Sequence, residues 1–186
     1  RLINNYGYML LGEGEIDEAE DLFLRVVKED DSEINPLISR CNLAYIYSLQ
    51  AKYDKAFELI DEVLSSDSSK ESATLRISFW FKGEIHPDPA QYPGRSITLE
   101  MAALGCGIAC ALALGDMDRA DELNDRLLVK EFDDPLPLIC EGCVQDVKHN
   151  EYEAKDAFTE AIKMSANEDE IATLKDWIEK IDAIGE

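Results

Sequence analysis

The sequence predicts an all-α protein, a solenoid of stacked helix pairs interrupted by one irregular insert. Three observations predict it. A small residue followed four places on by a large apolar one occurs as Ala19 and Phe23, and again 37 residues later as Ala56 and Ile60. A second-helix pattern resumes as Met117, Ala120, Leu123 and Leu127, and 34 residues after Ala120 stands Ala154, with Phe158 four places on. Between the patterned stretches stand glycine, or an acid or amide followed by proline, which are the residues that stop and start helices. A single pair of short amphipathic helices cannot bury its own apolar face. A repeated pair therefore implies further pairs stacked beside it.

In chain order, the first pair has helices near 2–12 and 16–29. Gly7 and Ala19 are small where the two must approach closely, and Gly12 and Gly14 let the chain turn between them. The second pair opens at Asn35-Pro36, with Asn35 expected as N-cap and Pro36 in the first turn. Its first helix carries Leu37, Leu43, Ala44 and Tyr47, and its second carries Tyr53, Ala56, Ile60 and Val63.

The pattern then breaks over Ser65–Ser96. Thr74–Phe81 alternates apolar and other residues, and Lys82-Gly83 suits a tight turn before Glu84-Ile85-His86. That reads as a β-hairpin. The rival is a helix begun by the capping box Ser68-x-x-Glu71 and stopped at Gly83; period-two alternation favours the hairpin. Pro87, Pro89, Pro93 and Gly94 make His86–Arg95 a loop.

A thin helix over Ile97–Leu114, with Ala103, Gly107 and Ala111, follows, and Asp116 caps its partner helix. The fourth pair opens at Asp134-Pro135, and Asn150-x-x-Glu153 begins its second helix. Asn167-x-x-Glu170 is a further capping box. It starts a helix over Asn167–Ile184 with Ile171, Leu174, Trp177, Ile178 and Ile181 on one face and charges on the other. Such a helix closes the end of a stack.

These residues resemble the tetratricopeptide repeat (TPR). Tyr6-Gly7 stands where that family has Leu-Gly, and Leu10 where it has an aromatic. Gly14-x-Ile16-x-x-Ala19-x-x-x-Phe23-x-x-Val26 and Ala51-x-Tyr53-x-x-Ala56-x-x-x-Ile60-x-x-Val63 fill its second-helix pattern. The third and fourth copies depart from it at Gly107-Ile108, Asn124 and Glu141. The resemblance implies a right-handed solenoid: two helix pairs over 1–66, the insert over 67–95, two degenerate pairs over 96–166 and a capping helix over 167–186. It also implies a protein-interaction scaffold without catalysis. The first helices would line a concave binding face with Asn4, Tyr8 and Leu11; Cys41, Tyr45 and Ser48; Ala109 and Leu112; and Ile139, Cys143 and Asp146. Some members clamp an acidic peptide terminus with lysine, arginine and asparagine. Here Asn4 alone is of that type, so a basic or apolar peptide is expected instead.

Charge and composition narrow the partner. The 186 residues carry 40 acids against 18 bases, a formal net charge of −22. Such a chain repels phosphate backbones and anionic membranes, so neither nucleic acid nor membrane is expected. No apolar run reaches the ~18 residues of a membrane span. Five cysteines without framework spacing point to a reducing compartment, hence the cytoplasm. Cys106-x3-Cys110 and Cys140-x2-Cys143 put two thiols on each of two helix faces, where four thiolates can hold zinc or four small apolar groups can pack; the surrounding Gly and Ala favour packing, so no metal or cofactor is expected. The two histidines, His86 and His149, sit in no nucleophile signature, and no phosphate loop or dinucleotide fingerprint occurs. The chain opens at Arg1 without Met and inside a helical pattern. The expectation is a piece of a longer protein, whose effector, enzyme or ATPase, would lie elsewhere and whose other domains are possible partners.

Overall fold

The computed structural model describes residues 2–89, 94–129 and 133–183. Helices α1 (Leu2–Glu13), α2 (Ile16–Glu29), α3 (Ile34–Leu49) and α4 (Tyr53–Leu64) form two pairs. A 3-10 turn (Asp67–Lys70) leads into strands β1 (Ser72–Leu75), β2 (Ser78–Phe81), β3 (Glu84–Pro87) and β4 (Arg95–Thr98). Helices α5 (Leu99–Leu114), α6 (Met117–Leu128), α7 (Leu136–Val147) and α8 (Glu151–Met164) form two more pairs, and α9 (Glu168–Asp182) packs on α8. Among the described residues no helix is long and apolar enough to cross a membrane.

The four pairs share one register, and their turns define it. The N–H groups of Glu15, Lys52, Asp116 and Asn150 donate to the carbonyls of Leu10, Tyr47, Ala111 and Gln145, five residues back, at 2.8–3.0 Å. Just before each donor stands a left-handed residue: Gly14, Ala51, Gly115 or His149. This is a Schellman closure, repeated at each pair. It removes the ambiguity of the degenerate copies, because Ile108 and Gly142 then fall level with Gly7 and Ala44. Close approach follows from the small residues. A Cβ on Gly7 would lie 2.8 Å from the Phe23 ring, and one on Gly142 would lie 2.3 Å from Phe158.

The insert is a β-ribbon. β2 and β3 are antiparallel, with Phe81 opposite Glu84 and Ser78 opposite Pro87. Lys82 and Gly83 both have positive φ, 50° and 83°, which makes the turn that matches strand twist. β1 and β4 pair below it, Ser72 with Thr98 and Leu75 with Arg95. The Asp88 N–H donates to the Ile77 carbonyl at 2.9 Å and links the two pairings. The helix rival for 74–86 is thus excluded, and the ribbon is longer than the expected hairpin. It reaches Thr98, so Ile97 belongs to a strand and α5 starts at Leu99. Thr98 Oγ1 accepts from the Met101 N–H at 3.2 Å and starts that helix. Residues 90–93 of the expected proline loop, Arg1 and Ile184 lie outside the described residues.

Two expected caps are placed differently. Asn35 lies inside α3, where its Nδ2 donates to Asp30 and its carbonyl accepts from Asn4. Asn150 precedes α8 with no capping bond, its Nδ2 donating to Gln145 instead. Asp116 does cap, accepting from the Arg119 N–H at 3.1 Å, whereas the cap of α7 is Pro135 and Asp134, one residue ahead of it, accepts from the Leu136 N–H at 2.8 Å.

Candidate functional site

The face expected to bind a partner is built by α1, α3, α5 and α7, and the ribbon lies on it. β2 packs against α3, α5 and α7, while β1 and β3 pack against α3 and α5. The apolar alternation read in the sequence supplies the contact. Leu75, Ile77, Phe79, Phe81 and Ile97 are all buried within the same core as the helices. Phe81 continues across to the far end of the stack, stacking on Trp177 of α9 with ring centroids 4.5 Å apart and meeting Phe158 edge-on at 5.8 Å.

The predicted binding residues are accordingly in the interior. Asn4 is buried: its Nδ2 donates to the Asn35 carbonyl at 3.0 Å and its Oδ1 accepts from Ser39 Oγ at 2.5 Å. Leu11, Ala109, Leu112, Ile139 and Cys143 are buried apolar residues. The Cys41 thiol donates to the Leu99 carbonyl at 3.7 Å. Ser48 Oγ shares a 2.7 Å hydrogen bond with Ser78 Oγ of β2, so helix and ribbon are joined directly. Tyr45 is buried, and burial pushes its phenol up against the opposing pull of Arg76. Tyr8 is half-buried and lies under the Arg76 guanidinium, 4.9 Å from its ring centre. Asp146 is buried and paired with Lys82 at the ribbon tip, at 2.5 Å. The structure therefore buries most of the predicted residues, and strands β1 to β4 of the same chain pack on the helices α3, α5 and α7 that carry those beyond Leu11.

Three basic residues hold the ribbon down, and sequence reasoning missed all three. Lys82 pins the tip to α7. Arg95 is buried, its Nε and Nη2 donating to both oxygens of Asp88 at 2.8 and 3.2 Å, its Nη1 to Asp134 at 2.8 Å, and its Nη2 also to Glu170. One guanidinium thus ties β4 to the start of α7 and to α9. Arg76 is buried with the aromatic face of Tyr8 as its neighbour, and its Nε has no hydrogen-bond partner among the described residues. A signal was present. In a chain this acidic, one Lys and two Arg alternating with apolar residues in the insert mark a segment made for an acidic, apolar bed.

All five cysteines are free and buried. Burial pushes the Cys106 thiol up to about 11, opposed by hydrogen bonding to Ser78, and raises the other four as well. Burial thus favours the protonated thiol, which lowers nucleophilicity. Among the described residues no group of three or more His, Cys, Asp or Glu is arranged to hold a metal ion.

With this geometry in hand, comparison with known proteins gives one family. The model of the tetratricopeptide repeat matches residues 38–70, which span most of α3, all of α4 and the 3-10 turn. No curated protein and no solved structure matches the chain.

Proposed function

With a tetratricopeptide repeat at residues 38–70 as the premise, we propose that the chain is a non-catalytic protein-interaction scaffold whose concave groove is occupied by a segment of the same chain. The β-ribbon carries this reading. It lies where an extended peptide would lie, with apolar side chains down and Lys82 on Asp146. It also has the apolar and basic character expected of a groove ligand on an acidic body. Of the two readings open from the sequence, an external peptide in the groove and another part of the same chain, the burial of Tyr45 and Ser48 and the hydrogen bond from Ser48 to Ser78 of the ribbon favour the second. External protein partners then meet the outer helical surfaces, where the acid is concentrated on exposed positions.

The test is competition in trans. A synthetic peptide of residues 74–98 is titrated into the intact chain and followed by calorimetry and NMR. No binding is expected, and the β2 and β3 amides should exchange with solvent as slowly as those of α5. Saturable binding of the peptide with shifts at Tyr45 and Asp146 would show an accessible groove and sink the proposal. Cross-linking of the chain to a captured protein partner should label the outer helices and leave 41–48 and 139–146 unlabelled.

A further inference from the structure

The outer face of α1 repeats, in register, a surface that is covered in every later pair. Leu2, Tyr6, Met9 and Glu13 form one stripe along α1, and the three apolar members are 86%, 54% and 58% exposed. One repeat on, the residues level with Tyr6 and Met9 are Leu43 and Ile46 of α3, both 0% exposed where α2 packs on that helix. In the later pairs the residues level with Met9 are Cys110 and Val144, also buried, beneath α4 and α6. The four matching turn closures fix these equivalences independently of residue type.

At two of the three later junctions the end of the stripe carries a polar pair. The residue level with Glu13 is Gln50 at the end of α3, and its Nε2 donates to Glu20 of α2 at 3.3 Å. At the end of α7 it is Lys148, which pairs with Asp121 of α6 at 2.6 Å. Glu20 and Asp121 themselves stand level with each other in their helices. At these two junctions the covering helix supplies a residue complementary to the one at this position, and at the α4–α5 junction the level residue is the apolar Leu114. Glu13 has no such counterpart among the described residues. At the other end of the stripe, Ile3 borders a groove lined by Glu29, Asp30 and Asp31, with Arg25 beside them paired to Glu29.

From these two observations we infer that the outer face of α1 is a docking surface for an amphipathic helix with an apolar stripe and basic flanks. The helix takes the place against α1 that α2 takes against α3, seating its apolar stripe over Leu2, Tyr6 and Met9 and a Lys or Arg against Glu13. This surface is distinct from the groove, so the reading above and this one can fail separately.

The probe is a model helix of leucine and lysine with leucine on one face, set against its leucine and glutamate counterpart. The Leu/Lys peptide should bind the intact chain, with NMR shifts at Tyr6 and Met9, and the Leu/Glu peptide should not. The double substitution Tyr6→Lys, Met9→Lys should weaken binding at least ~10-fold, as loss of central contacts does. Glu13→Lys should weaken it several-fold, while Glu179→Lys on exposed α9, an equal change of charge, leaves it alone. All four positions are exposed, and unchanged melting curves verify the fold. Equal losses from Glu13→Lys and Glu179→Lys, or none from the double substitution, would reduce the interaction to general attraction by an acidic protein and overturn the inference. A self-association seen by sedimentation and dissolved by Met9→Lys would overturn it differently, by making the occupant a second copy of the chain.

Discussion

A hydrogen is all the room Gly142 has. Replacing it with alanine puts a methyl 2.3 Å from the Phe158 ring, and the ring sits in a core with nowhere to go. Gly142→Ala should cost about 1–3 kcal/mol, the usual range for overpacking, measured as a lower urea midpoint at unchanged slope. At Gly83 space is open but φ is +83°, so alanine there should cost about 1–2 kcal/mol through backbone strain alone. Arg95 is the residue with most at stake. Arg95→Met strands Asp88 and Glu170 in the interior without their cation, and breaking a buried pair in this way costs about 3–5 kcal/mol. The thiols predict a pH dependence. Their folded values are raised above the ordinary 9.0, so above about pH 9 the unfolded chain releases protons that the folded chain keeps. Stability should be insensitive to the thiols below that pH and fall as pH rises past it, read from urea midpoints between pH 7 and 11. A flat profile through pH 10 would contradict the burial of the thiols. Glu170 shows how a local motif yields to tertiary demand. Asn167 Oδ1 does accept from the Glu170 N–H at 2.8 Å, as a capping box requires, but the Glu170 carboxylate turns inward to Arg95 rather than back to the cap.

At the scale of the element, the helices follow from local pattern and the ribbon only partly. Second helices such as α2 and α4 carry a clean apolar stripe and charged flanks, so period alone locates them. The first helices α3 and α5 are covered on both sides, by neighbouring helices and by the ribbon, and their apolar residues run nearly all round. β2 and β3 were legible because a two-residue turn joins them. The β1–β4 pairing was not, because its partners are separated by the whole hairpin and β4 joins a helix with no intervening turn. The ribbon belongs to the core, since Phe79 and Phe81 are almost fully buried against helices that would otherwise face water. Phe81→Ala should therefore destabilise the protein by about 3–5 kcal/mol, the cost of an emptied aromatic site. It should also lower the melting temperature of the helices, followed by circular dichroism at 222 nm, together with the ribbon. Loss of ribbon protection with the helices unaffected would mean that the ribbon is a detachable arm.

At the scale of the molecule, a net charge of −22 works against the compact state, and salt should relieve it. The screening length falls from about 30 Å at 0.01 M to about 3 Å at 1 M salt. The surface ion pairs that salt also weakens, such as Arg25–Glu29 and Lys180–Asp176, are largely exposed and contribute little. The melting temperature should rise across that range of sodium chloride. A fall would give the exposed pairs more weight than their exposure allows. The first and last helices described also differ. α9 turns Leu174, Trp177 and Ile181 inward and leaves charges outside, whereas α1 leaves Leu2, Tyr6 and Met9 in solvent.

Periodicity and residue size along the chain are enough to specify helix pairs and their approximate spacing, because those depend on contacts between residues close in sequence. That Asn4, Tyr45, Ser48, Ile139 and Asp146 lie on first helices was legible for the same reason. What covers them was decided in three dimensions. The ribbon's place on the groove, Lys82 on Asp146 and Arg95 among Asp88, Asp134 and Glu170 join residues as far as 75 positions apart. No local pattern encodes such pairings, since a buried cation and its carboxylates look in sequence like any other charges until the fold removes them from water.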